Sequence, residues 1–210
     1  MSAKGRFITL EGGEGTGKST LMRGLVGRLQ SKGITVLTVR EPGGTPLAED
    51  VRSLALKKRE NYNFSGMALA LLMHTARDDL LEREIRPALR AGHWVLCDRF
   101  ADSTRVYQGI DGAPDDLLDA LERNVIGETQ PDLTLILDGP PDALLDRRSD
   151  RGLSDVFEAR DLEFHNKVRR RFLNIADTHT DRCVVIDALQ SPENVLKESL
   201  AVIDQRFSAG

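Results

Sequence analysis

Residues 10–20 read Leu-Glu-Gly-Gly-Glu-Gly-Thr-Gly-Lys-Ser-Thr. Nothing else in the chain restricts its folding as tightly. Gly12-x4-Gly17-Lys18-Ser19 fits the phosphate-loop pattern G-x-x-x-x-G-K-[ST]. Such a loop has to leave a strand and enter a helix. Glycines let the backbone curl until its N–H groups converge on an anion, and the helix N-terminus adds its positive end. The apolar run FITLE (7–11) precedes the loop, and a helix-forming stretch (17–31) follows it. The spacing therefore predicts a βα unit in which Gly12, Gly13, Glu14, Gly15, Thr16, Gly17, Lys18, Ser19 and Thr20 wrap nucleotide phosphates. Lys18 is expected on the β- and γ-phosphates, and the Ser19 hydroxyl on Mg2+. A dinucleotide fold needs G-x-G-x-x-G, and neither Gly13-x-Gly15 nor Gly15-x-Gly17 has the third glycine at that spacing. Glu14 stands out, because a carboxylate inside a phosphate loop faces a ligand that is already negative.

Four more β-rich apolar runs follow: TVLTVR (35–40), WVLCDR (94–99), LTLILDG (133–139) and CVVIDA (183–188). Helix-forming segments separate them over 46–58, 64–91, 114–127, 141–151, 157–178 and 191–207. The alternation predicts an α/β fold with a five-stranded parallel sheet. Continuous apolar strands predict helices on both faces. Each run ends in or beside a charge (Glu11, Arg40, Asp98, Asp138, Asp187), and these are expected to gather around one crevice beyond the strand ends. A chain of 210 residues fits a single domain with a substantial core. A net charge of −4 argues against a general nucleic-acid binder. Cys97 and Cys183 lie in apolar runs, as reduced buried thiols of a cytosolic protein would. The start MSAKGRFITLEGG has no signal-peptide core, and no run approaches a membrane span.

A phosphate loop identifies a donor and leaves the reaction open. A kinase passes the phosphoryl group to a small acceptor; a switch or motor hydrolyses the nucleotide and signals to partners. A GTPase switch shows D-x-x-G and then N-K-x-D. The first is absent here, and Asn166-Lys167-Val168-Arg169 has Arg in place of the Asp. The kinase reading leads.

Further motifs sharpen it: REPGGTPLAE at 40–49, HTARDD at 74–79, VLCDRFADSTRVYQG at 95–109, PDLTLILD at 131–138 and RRSDRG at 147–152. With FITLEGGEGTGKST they run through essentially the whole chain, which resembles the bacterial thymidylate kinases, P-loop enzymes of the nucleoside monophosphate kinase class. The resemblance implies transfer of the γ-phosphoryl group of ATP to dTMP with Mg2+, giving dTDP for dTTP synthesis. It also implies a homodimer formed through the long helices. By the same resemblance Glu14 turns away from the ATP phosphates to receive the 3′-hydroxyl of the acceptor sugar. A carboxylate accepts hydrogen bonds only, so a sugar hydroxyl suits it.

The resemblance assigns the remaining site residues. Arg99, in Asp98-Arg99-Phe100, resembles the arginine that clamps the acceptor phosphate, and Arg52 a second phosphate contact. Asp98 resembles a carboxylate that serves the metal or pairs with the lysine. Arg77 is implied to donate to the thymine O4. Met73, one turn earlier, stands where relatives often carry a stacking Phe, and its helical spacing suits the core equally well. Thr104 and Gln108 are implied to line the pyrimidine, with Ser103 beside them, and Tyr107 to crowd the sugar 2′ position. Position 15 is Gly, where some relatives carry Arg, so the positive charge for the transition state is expected from an arginine-bearing lid at about 147–158. Arg147 and Arg151 are four apart and share a helix face. Arg151 is the first choice and Arg147 the second. Val156 stands where relatives usually have a further arginine, and Glu158 matches a carboxylate of their lid region. Arg169-Arg170-Arg171 reads as an exposed helix face.

Overall fold

The computed structural model describes residues 5–57, 62–144 and 161–207. Strand β1 (Phe7–Gly12) runs through the phosphate loop into α1 (Lys18–Ser31). Then come β2 (Val36–Arg40), α2 (Pro46–Arg52) with a wider helical turn at Ser53–Lys57, and α3 (Gly66–Leu80). A second wide turn, Leu81–Ile85, leads into the short α4 (Arg86–Arg90). The rest is β3 (Trp94–Asp98), α5 (Ala101–Ile110), α6 (Asp115–Val125), β4 (Leu133–Asp138), α7 (Leu162–Thr178), β5 (Cys183–Asp187) and α8 (Pro192–Phe207).

The five strands form one all-parallel sheet in the order β2-β3-β1-β4-β5. β1 is central and every one of its residues is buried. Even its polar Thr9 is satisfied inside the sheet, by the Thr134 hydroxyl at 2.8 Å. On one face Leu21, Leu25 and Leu29 of α1 and Ile203 of α8 pack on Ile8, Leu10 and Leu135. Burying each such leucine contributes about 1.5–3 kcal/mol. On the other face, Leu80, Leu81, Ile85 and Phe100 cover Phe7, Val95 and Cys97, while Val106 and Phe172 cover Ile136. Both cysteines are buried and free. Among the described residues no helix is long and apolar enough to cross a membrane.

Three expectations are corrected, and a fourth falls partly outside the described residues. The edge strands β2 and β5 are only partly buried, so a continuous apolar run means two-sided cover for the inner strands alone. The helix expected over 64–91 changes pitch at Leu81–Ile85, where Pro87 has no N–H to close the regular ladder. Of the helix expected over 141–151, residues 141–144 are helical and the rest lie outside the described residues. Residues 101–110, where the sequence predicts no helix, form α5. Its N-cap is Phe100, which offers no capping oxygen, so the local sequence carries no start signal.

Candidate active site

The loop is shaped by its neighbours. Gly12 has φ 129, and a Cβ there would lie 2.3 Å from the Leu137 carbonyl of β4, so only glycine fits. Gly17, at φ 90, begins α1, and no side chain caps that helix. An uncapped helix start opening from a glycine loop is the arrangement that an anion completes. Lys18 is buried across the loop, its Nζ donating to the Gly12 carbonyl (3.1 Å), the Gly13 carbonyl (2.7 Å) and Thr16 Oγ1 (3.3 Å). Burial, then the nearby Arg99 charge, pulls its pKa down to about 8. Gly13, Gly15 and Thr16 form the turn, and Ser19 and Thr20 are exposed at its far side. Ser19 Oγ donates to Asp98 Oδ2 at 3.5 Å. Asp98 Oδ1 is buried without a hydrogen-bond partner among the described residues. A hydroxyl and a partly unsatisfied carboxylate are hard oxygen donors, a set that fits Mg2+.

On the other side of the loop is a cavity of about 190 Å3. The topology brings every residue expected on the acceptor side to its wall: Glu14, Arg52, Met73, Arg77, Arg99, Ser103, Thr104, Tyr107 and Gln108. Glu41, Pro42, Leu56 and Phe100, to which the sequence assigns no role in the site, complete the lining. Ser103, Thr104, Tyr107 and Gln108 all project from α5.

Arg77 is 1% exposed. Its Nε and Nη2 contact Glu41 Oε2 at 2.9 and 2.7 Å, and Nη2 also donates to Thr104 Oγ1 at 2.9 Å. The guanidinium lies 5.0 Å over the Phe100 ring. Nη1 of Arg77 and Oε1 of Glu41 have no hydrogen-bond partner among the described residues. Burial raises the Glu41 pKa, and Arg77 opposes that shift. Glu41 is one residue from Arg40 at the end of β2, and only its burial, which the sequence does not display, singles it out. Met73 packs with Ala55, Leu69 and Phe64 while lining the cavity, so it serves the core and the wall together. Arg52 Nη1 donates to the Pro42 carbonyl at 2.9 Å, tying α2 to the turn.

Arg99 stands between the loop and the cavity. It is the only non-glycine residue with positive φ (67) among those described. Nη1 donates to the Gly12 carbonyl (3.1 Å) and Ser103 Oγ (3.2 Å), and Nη2 to Glu14 Oε1 (2.5 Å). The Tyr107 hydroxyl donates to the same Glu14 oxygen at 3.4 Å. Burial opposes the Arg99 charge, yet the Tyr107 phenol and the Glu14, Glu11 and Asp98 carboxylates together hold its pKa above the ordinary arginine range. Burial likewise raises the Tyr107 phenol. The Glu14 side chain is thus engaged on the cavity side of the loop.

The strand-end charges do not all gather at one crevice. Glu11 and Asp98 do. Arg40 pairs with Glu49 on the exposed edge, and Asp187 Oδ1 accepts from the Leu189 N–H. Asp138 is held by Arg169 through two bonds of 2.8 Å. This corrects the reading of Arg169–Arg171 as one exposed face. Arg170 is exposed, but Arg169 reaches the end of β4 and Arg171 donates to the Arg105 carbonyl. Arg147, Arg151, Val156 and Glu158 lie outside the described residues.

The chain matches the family model described as "Thymidylate kinase" over residues 10–199. It is 48% identical to the thymidylate kinase of Caulobacter vibrioides, across 97% of this chain and 98% of that protein. Identity to the thymidylate kinase of a Bradyrhizobium species is 50%, across 91% of this chain and 86% of the relative. The thymidylate kinase of Nitrobacter winogradskyi is 50% identical over 89% of this chain and 83% of its own length.

Proposed function

The chain belongs to the thymidylate kinase family and phosphorylates dTMP to dTDP with ATP, and on that footing we propose how its residues divide the work. The observation that carries the proposal is the placement of Arg99 and Glu14, bonded to one another where the phosphate loop opens into the acceptor cavity.

ATP lays its phosphates along Gly12–Thr20, against the uncapped start of α1. Lys18 releases the Gly12 and Gly13 carbonyls and turns its ammonium to the β- and γ-phosphates. Ser19 and Asp98 would hold Mg2+, which would neutralise phosphate charge there. dTMP enters the cavity with its base toward Arg77, whose Nη1 donates to O4, between Met73 and the wall of Thr104 and Gln108. Tyr107 fills the space a ribose 2′-hydroxyl would need. Glu14 accepts from the 3′-hydroxyl, and Arg99 and Arg52 take the 5′-phosphate. The substrate therefore offers both partners of the resident Arg99–Glu14 ion pair a replacement, a phosphate for one and a hydroxyl for the other.

Held in this way, an acceptor phosphate oxygen lies in line with the γ-phosphorus. The new P–O bond forms as the bond to ADP breaks. No covalent intermediate is needed, because positioning and charge neutralisation supply the catalysis. Arg151, or in its place Arg147, supplies the remaining positive charge for the transition state. A second copy of the chain joins through α2 and α3 to form a homodimer, a proposal supported by the exposed Leu47 of α2 and Met67 and Leu71 of α3.

A coupled ADP-release assay with Mg-ATP against dTMP, dUMP, UMP, CMP, AMP and GMP tests the assignment. dTMP is expected to give the highest kcat/KM, with UMP held back by Tyr107. ATP turnover indifferent to every monophosphate would overturn it.

A further inference from the structure

Arg99 has φ 67, a left-handed conformation that a long side chain adopts only where its surroundings impose it. The imposing groups come from two consecutive residues of β1. The Arg99 N–H donates to the Leu10 carbonyl at 3.0 Å. The next N–H, that of Phe100, donates to the Glu11 side chain, reaching Oε1 at 2.7 Å. The kink is therefore pinned on one side by main chain and on the other by a carboxylate.

Glu11 does more than hold the kink. α5 has no capping side chain of its own, and Glu11 Oε1 accepts from the Ser103 N–H in its first turn at 3.4 Å. This is a helix cap delivered from a neighbouring strand. Its other oxygen, Oε2, accepts the Ser103 hydroxyl proton at 2.6 Å. With that proton committed, Ser103 Oγ turns its lone pairs outward, and one accepts from Arg99 Nη1 at 3.2 Å. The charged neighbours are accounted for. Burial and the Asp102 carboxylate, itself held by a bidentate pair with Arg182 at 2.7 and 2.9 Å, work against the Glu11 charge, and Arg99, Lys18 and the α5 N-terminus favour it. Glu11 is fully buried and does not line the cavity, so any influence on substrate passes through other residues.

We propose that Glu11 is a positioning residue for acceptor binding: by capping α5 from β1 and directing the Ser103 hydroxyl, it holds Arg99 where the guanidinium meets the dTMP phosphate. This rests on the reading of Arg99 as the phosphate clamp. Glu11→Gln keeps the size of the side chain and an acceptor for Phe100. It presents N–H to Ser103, which frees the hydroxyl proton to point at Arg99, donor against donor.

The test is calorimetric binding of dTMP and of thymidine, with KM for dTMP and for ATP, in the wild type and in Glu11→Gln, Ser103→Ala, the double variant and Arg99→Ala. Glu11→Gln is expected to weaken dTMP and raise its KM by roughly tenfold, with thymidine binding and the KM for ATP nearly unchanged. Ser103→Ala should do the same to a smaller degree. Combined with Glu11→Gln it should add little, since both act on one hydrogen-bond chain. Equal weakening of dTMP and thymidine, or a lower Tm with substrate constants intact, would reduce Glu11 to a structural carboxylate and overturn the proposal. If Glu11→Gln does not fold, Ser103→Ala alone decides, because it leaves the cap intact and removes only the relay. The clamp reading fails separately: if Arg99→Ala binds dTMP as well as the wild type, that reading falls first.

Discussion

Arg77 carries five N–H donors, and Glu41 and Thr104 engage only its Nε and Nη2. Its Nη1 and the Glu41 Oε1 are each buried without a partner among the described residues. Orphaned polar atoms are expensive in a folded chain, and at a substrate cavity they mark groups that a ligand satisfies. Glu41 also makes the pair mutually dependent. Arg77→Ala leaves a buried carboxylate uncompensated, and we expect it to destabilise the fold by about 3–5 kcal/mol, well beyond its effect on the base. Denaturant unfolding measures that loss. Adding Glu41→Gln should return part of the stability but not the affinity for dTMP, because the neutral amide tolerates burial and the O4 donor is still missing. Loss of affinity with unchanged stability would mean that the pair is not coupled as the geometry requires. Arg99 differs in kind, since its partners are the loop and a neighbouring helix, and its worth is positional.

At the scale of elements, α3 and α5 supply much of the cavity wall and differ in how they are held. α3 is capped locally, Ser65 Oγ accepting from the Ala68 N–H, and its inward stripe of Leu69, Met73, Ala76 and Leu80 is buried. His74 lies on it, buried, with Nδ1 donating to the Ala70 carbonyl at 3.0 Å. Burial, then the Arg77 charge, pushes its pKa down to about 3 from an ordinary 6.5. The unfolded chain takes up this proton near pH 6.5 and the folded chain only near pH 3. Stability from neutral His74 is therefore present above pH 6.5 and is lost as pH falls from 6.5 towards 3. We expect Tm to drop through that window, and to drop less steeply in His74→Leu. Parallel acid limbs for the two proteins would show that another group governs the loss. α5 has no local cap and is held from a distant strand, which is why periodicity and start signals reveal α3 and miss α5.

For the whole molecule, direction divides the stripe at 69–80 between core and surface. Leu69, Met73, Ala76 and Leu80 face inward. Among the exposed apolar side chains are Leu47 of α2 and Met67 and Leu71 of α3, at 45, 48 and 45% exposure. Met67 and Leu71 are one turn apart on α3 and share a face, and apolar side chains exposed in this way suit association between copies. We expect the wild type to sediment as a dimer and Leu71→Glu to sediment as a monomer with its melting transition retained. A variant that remains dimeric would move the interface elsewhere. The long reach of the fold is visible at the same scale: β1 alone supplies the phosphate loop, the Leu10 carbonyl that receives Arg99 and the Glu11 carboxylate beneath α5.

The phosphate loop and the parallel α/β layout are legible in the chain before it folds, from glycines where the backbone must curl and apolar runs of strand length, whereas the residues expected around the acceptor are named only through the family resemblance. The partners of the buried charges come from folding alone. Glu41 meets Arg77 across 36 positions, Glu11 meets Phe100 across 89, and Arg169 meets Asp138 across 31. A charge excluded from water must find its complement in space, and nothing in its immediate neighbours along the chain says where that complement will be.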